Sequence, residues 1–162
     1  MTDYLNMHLA MQHPLPDALP LSESFSMPLL QLNLTNTAID DQQRARVHTG
    51  LAERMASILG KRADLTVVSI AQSNAGAWSL GGQTLTSQGW CASLLVHITA
   101  GTNTAEELSR FIASAYALLQ EVLAASASAP VYIIVHEIAA HSWGYDGRTQ
   151  LSRRTATPAL PI

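Results

Sequence analysis

Little of this chain is charged. Asp, Glu, Lys and Arg make up 13% of its 162 residues, about half the ~25% of an ordinary globular domain. The nine basic residues are scattered, so no stripe exists to neutralise a phosphate backbone, and nucleic acid is not an expected partner. So little polar surface on a small domain points instead to subunit interfaces. No apolar run approaches the roughly 20 residues that span a bilayer, and residues 1–27 have neither a basic start nor an unbroken hydrophobic stretch. The chain therefore reads as cytoplasmic, with no membrane partner. A single cysteine, Cys91, excludes an internal disulfide and reads as a buried thiol.

The usual catalytic inventories are missing as well. There is no Gly-x-Ser-x-Gly elbow, no phosphate-cradling glycine loop and no cysteine redox pair. His136-Glu-Ile-Ala-Ala-His141 has one residue too many for a zinc-protease helix, since an i, i+5 spacing sets two ligands about 140° apart. His8, His13, His48 and His97 show no metal-ligand spacing either. Neither a metal nor a cofactor is expected.

What the chain does have is a repeat of itself. At a constant offset of 65, Leu29 and Leu30 fall on Leu94 and Leu95, and Thr37 falls on Thr102. Without a gap, Ala52 then meets Ala117, Trp78 meets Trp143, Gly82 meets Gly147 and Thr84 meets Thr149. Two of three tryptophans matching in register, each four residues before a glycine, mark a duplication. It divides the chain into an extension (1–27), a domain (28–154) built of copies 28–89 and 90–154, and a tail (155–162). The proline-bearing ends lack periodicity and read as loosely docked extensions.

Each copy reads strand, helix, strand, then a glycine-bearing segment, a hairpin or an edge strand able to pair across subunits. In the first, Pro28–Leu34 is strand-like, Val47, Leu51, Met55 and Ile58 recur at helical spacing behind Asp40-Asp41, and Leu65–Ile70 is the second strand. In the second, Ser93–Ile98 precedes a capping box, Thr104-Ala-Glu-Glu107. Leu108, Phe111, Ile112, Ala115, Leu119, Val122 and Leu123 line one helical face there, and Val131–Val135 closes the unit. Parallel strands joined by a helix cross over right-handed, so two such units make an α+β fold. The expectation is a four-stranded mixed sheet with both helices on one face, the other face bare and in need of a partner.

Met27-Pro28 opens the first copy. Proline lacks an amide hydrogen and is tolerated at a strand start. It can also become a base: if Met27 initiates the chain and is clipped, Pro28 carries a free secondary amine, and an α-amino group titrates near 7.7–8.0. Two βαβ copies with Met-Pro at the head resemble the tautomerase superfamily, which includes 4-oxalocrotonate tautomerase and macrophage migration inhibitory factor. Leu59-Gly-Lys61 resembles the Gly-Lys of the inhibitory-factor branch, and Val131-Tyr132 its later Val-Tyr. Trp143-Gly-Tyr-Asp-Gly147 with Thr149-Gln150 is similar to the Trp-Gly-Tyr-Gly-Gly-x-Thr-Gln ending of bacterial members.

The resemblance implies a homotrimeric barrel with active sites at subunit boundaries, acting on a small enol or keto acid. It implies Pro28 as general base, Lys61 as stabiliser of the enolate oxygen, and Tyr132, from a neighbouring subunit, with Ile134 and Ser93 as substrate-binding residues. Ile134 stands where the inhibitory-factor branch has asparagine, making the pocket more apolar. Thr37 or Ala38 stands where 4-oxalocrotonate tautomerase has a carboxylate-gripping arginine, so a phenylpyruvate-like enol fits better than a dicarboxylate. Two alternatives stay open. With residues 1–27 retained, the Pro28 nitrogen is an amide without basicity, and a catalytically silent binding or scaffold oligomer follows. With two arginines converging on Pro28, for which Arg62 and Arg148 are the candidates, the chemistry would be that of the superfamily's dehalogenases or decarboxylases.

Overall fold

A computed structural model describes residues 27–35, 39–85, 90–123 and 130–154. The extension up to residue 26, with His8 and His13, the positions Thr37 and Ala38, and the tail 155–162 lie outside the described residues. The chain runs β1 (Leu29–Thr35), α1 (Asp41–Leu59), β2 (Val67–Ser73), β3 (Ser79–Leu80) and β4 (Gln83–Thr84). The same series then recurs as β5 (Cys91–Thr99), α2 (Ala105–Leu123), β6 (Val131–Ile138), β7 (Gly144–Tyr145) and β8 (Arg148–Thr149), followed by a short α3 (Gln150–Arg154).

The four long strands form one mixed sheet in the order β2-β1-β5-β6. Within each copy the strands are parallel, and the copies meet at the centre through antiparallel β1 and β5. Alternation decides which side is core. Leu30, Leu32 and Leu34 of β1 and Leu94, Val96 and Ile98 of β5 are 0–1% exposed. They meet Val47, Leu51 and Met55 of α1 and Phe111, Ala115 and Leu119 of α2 in one cluster. Both helices thus lie on one face, as the repeat predicts. They approach closely at Gly50, where a Cβ would sit 2.8 Å from a Leu118 methyl. Ile112, expected on the buried face of α2, is 38% exposed, while Leu118 is buried. With Phe111 facing the sheet, the 100° step per residue carries its neighbour outward.

Sequence-local chemistry sets the helix ends. The Asp40 carboxylate accepts the Gln43 N–H at 2.7 Å and the Gln43 side chain accepts the Asp40 N–H at 3.1 Å, a reciprocal capping box. Gln43 also donates through Nε2 to the Val122 carbonyl at 3.0 Å, tying the start of α1 to the end of α2. Asp40→Ala removes this cap and lowers stability by about 1 kcal/mol, readable as a shift in the urea midpoint with an unchanged slope. The expected Thr104/Glu107 box is formed as well.

The duplication persists down to single hydrogen bonds. Leu85 N–H donates to the Trp78 carbonyl and Gln150 N–H to the Trp143 carbonyl, each at 3.0 Å and 65 residues apart. Both hairpins turn through two residues of positive φ, Gly81 and Gly82 in one, Asp146 and Gly147 in the other, as the right-handed strand twist favours. Among the described residues no helix is long and apolar enough to cross a membrane.

Candidate active site

One end of the sheet gathers the start of β1, the end of β5 and the carboxyl end of α1. Pro28 is buried there. It has no N–H for the ladder, yet its carbonyl accepts the Val67 N–H at 3.0 Å, so the residue is fixed against β2. Gly60 ends α1 in the left-handed conformation (φ 65°), and the Lys61 N–H reaches back to the Met55 carbonyl at 2.9 Å. That turn sends Lys61 inward. It is 9% exposed, with Nζ donating to Thr102 Oγ1 at 2.9 Å. The Thr102 hydroxyl donates in turn to the Thr99 carbonyl at 2.7 Å, and Asn103 Nδ2 donates to the Leu59 carbonyl at 3.0 Å. The loop after β5 is thereby stitched to the end of α1.

Glu107 completes this stitching. The Thr104 backbone N–H, and then the Asn103 side chain, hold its carboxyl below the usual glutamate range. Because the folded state favours the carboxylate, this contribution is present above an ordinary glutamate value of ~4.3 and is lost as pH falls through the depressed folded value. Glu107→Gln should therefore cost stability at pH 6 and progressively less toward pH 2, measured as the gap between the two urea midpoints.

The other three residues singled out in the sequence lie apart from Pro28 within the chain. Ser93 and Tyr132 are register partners across β5 and β6. They stand four residues along the strands, about 13 Å, from the row of Leu29 and His97 beside Pro28. Tyr132 and Ile134 are 58% and 43% exposed, on the sheet face turned away from the helices. Hence Pro28 and Lys61 share one end, whereas Ser93 and Tyr132 lie on the uncovered face toward the other end, with Ile134, opposite Leu95, between them and the His97 row.

Arg62 is engaged by Asp64, which raises its pKa and lowers that of the aspartate. Arg148 donates to the Ser152 carbonyl at 3.3 Å. Burial pushes the Cys91 thiol up. On the uncovered face, desolvation and then the neighbouring His136 lower the pKa of His97. Two features escape a linear reading: Thr102 as the partner of Lys61, and the side-by-side placement of His97 and His136. The partners stand 41 and 39 residues apart in the chain, and His97 and His136 meet through the register of β5 and β6.

By sequence, neither a protein-family model nor a curated protein matches the chain. By structure the likeness is close. A fused 4-OT wild-type symmetric trimer superposes with a TM-score of 0.68 at 14% identity, over 77% of this chain and 98% of that one. The macrophage migration inhibitory factor-like protein EhMIF from Entamoeba histolytica matches with a TM-score of 0.58 at 16% identity, over 76% of this chain and 98% of that one. Pt0534 inactivated by 2-oxo-3-pentynoate matches with a TM-score of 0.62 at 13% identity, over 77% and 98%.

Proposed function

From a chain that has the tautomerase-superfamily fold, we propose a keto-enol tautomerase in which Pro28, freed as the first residue, is the general base. The observation that carries this reading is the placement of a buried Pro28 and an inward-turned Lys61 at one end of that fold. The Pro28 nitrogen takes a proton from the enol and returns one to carbon, giving the keto acid. The Lys61 ammonium stabilises oxygen charge as it develops, and its nearness disfavours a protonated Pro28. The Thr102 hydroxyl accepts from Lys61 and fixes where its charge stands.

The assembly is a homotrimer, supported by the trimeric form of the fused 4-OT structure and by a sheet face left uncovered in one chain. A neighbouring subunit supplies Tyr132, Ile134 and Ser93 to the Pro28 end. The substrate is a small 2-oxo or enol acid with an aromatic or simple side chain, since Ile134 brings an apolar wall. Pt0534, inactivated by a 2-oxo acid, lends support to that class.

Intact-mass and N-terminal analysis of the protein from its native source, paired with a phenylenolpyruvate ketonisation assay, tests the proposal. A mature chain starting at Pro28 with activity supports it; an active chain that retains residues 1–27 overturns it. Lys61→Ala is expected to lower kcat/KM about 100-fold, as removal of one preorganised donor does elsewhere, with the far-UV spectrum unchanged. A retained extension without activity would favour the silent binding oligomer instead. A dehalogenase or decarboxylase reading is weaker, because Arg62 and Arg148 are each held by the chain's own groups.

A further inference from the structure

The register of β5 and β6 sets two imidazoles side by side. His97 and His136 are direct partners across these parallel strands, on the face away from the helices, with ring centroids 5.0 Å apart and planes at 74°. His97 Nε2 lies 3.3 Å from Gln31 Oε1. An amide oxygen only accepts, so Nε2 carries the proton and Nδ1 keeps its lone pair. A metal-bound histidine is commonly oriented in this way, its second nitrogen donating to an outer acceptor. By register and alternation the pair is flanked on this face by Leu29, Leu95, Ile134 and Ile138, which carry no ammonium or guanidinium to repel a cation.

We propose that His97 and His136 chelate a late first-row divalent ion through one ring nitrogen each, with Gln31 as the positioning residue and water filling the remaining coordination. Imidazole pairs suit Ni(II), Cu(II) and Zn(II), whereas Mg(II) and Ca(II) demand oxygen cages. Among the described residues no third His, Cys, Asp or Glu joins the pair, so the site has two protein ligands. It does not depend on the reaction assigned to Pro28.

Titration of the untagged full chain with Ni(II), followed by calorimetry at pH 7.5, tests the site. Saturable uptake of one ion per chain is expected, abolished in His97→Ala and in His136→Ala. Gln31→Leu should weaken binding about tenfold, the usual effect of losing an outer-shell partner. His48→Ala, His141→Ala and the double variant His8→Ala/His13→Ala should bind as the parent does. Far-UV spectra and the conservative variants His97→Gln and His136→Gln separate lost ligation from lost fold. Absence of saturable binding, its survival in both ligand variants, or its loss in the His8/His13 variant would overturn the proposal.

Discussion

A chain that begins at Pro28 is expected to ketonise phenylenolpyruvate at least about 100-fold faster than the same protein carrying residues 1–27, the low end of what a positioned base contributes. The difference is one of valence. Within a Met27-Pro28 peptide the nitrogen lone pair is delocalised into a carbonyl and cannot accept a proton. Released, it is a secondary amine, and an α-amino group ordinarily titrates near 7.7–8.0, so the neutral form that abstracts protons is within reach near neutral pH. The rate should follow deprotonation of this amine, rising with pH along a single limb. Pro28→Ala in the short chain should lose most of the rate. Equal rates in the long and short chains would overturn Pro28 as the proposed base.

Leu94→Ala carries the largest expected cost to stability, about 3 kcal/mol within the usual 2–5 for a buried leucine. Leu94 is fully buried on a central strand and pairs with Leu32 on one side and Ile133 on the other. Both neighbouring strands are pinned by the pairing, so the cavity cannot collapse cheaply. The melting midpoint should fall by roughly 10 °C. Ile134, one residue further along the partner strand and 43% exposed, provides the comparison: in a chain held monomeric, Ile134→Ala should cost much less. A comparable loss at both positions would mean that the face away from the helices is as tightly packed as the core.

Much of the fold was legible because local signals and the duplication agreed. Trp78 and Trp143 fixed the offset, the Thr104/Glu107 box located the start of α2, and the aligned Gly82 and Gly147 marked the two hairpins. Local competition defeated the reading in places. Leu65, expected in the second strand, lies instead in a 3-10 turn (Ala63–Leu65) that Arg62 and Asp64 stabilise, delaying β2 to Val67. Of the candidate site, residue types and family resemblance could nominate Pro28 and Lys61. The imidazole beside His97 depends on which residues the register brings opposite one another, and the hydroxyl that holds Lys61 on how two loops 41 residues apart meet; composition encodes neither.

The joint between the two copies also has a bearing on how the molecule must be made. It runs through the middle of the sheet, with Leu30, Leu32 and Leu34 of the first copy lying beside Leu94 and Val96 of the second. A half-molecule would present that leucine row to water and an open strand edge to any passing chain. Neither copy can therefore serve as a finished folding unit during synthesis. The first must wait, exposed and prone to self-association, until β5 has been made and can close the seam.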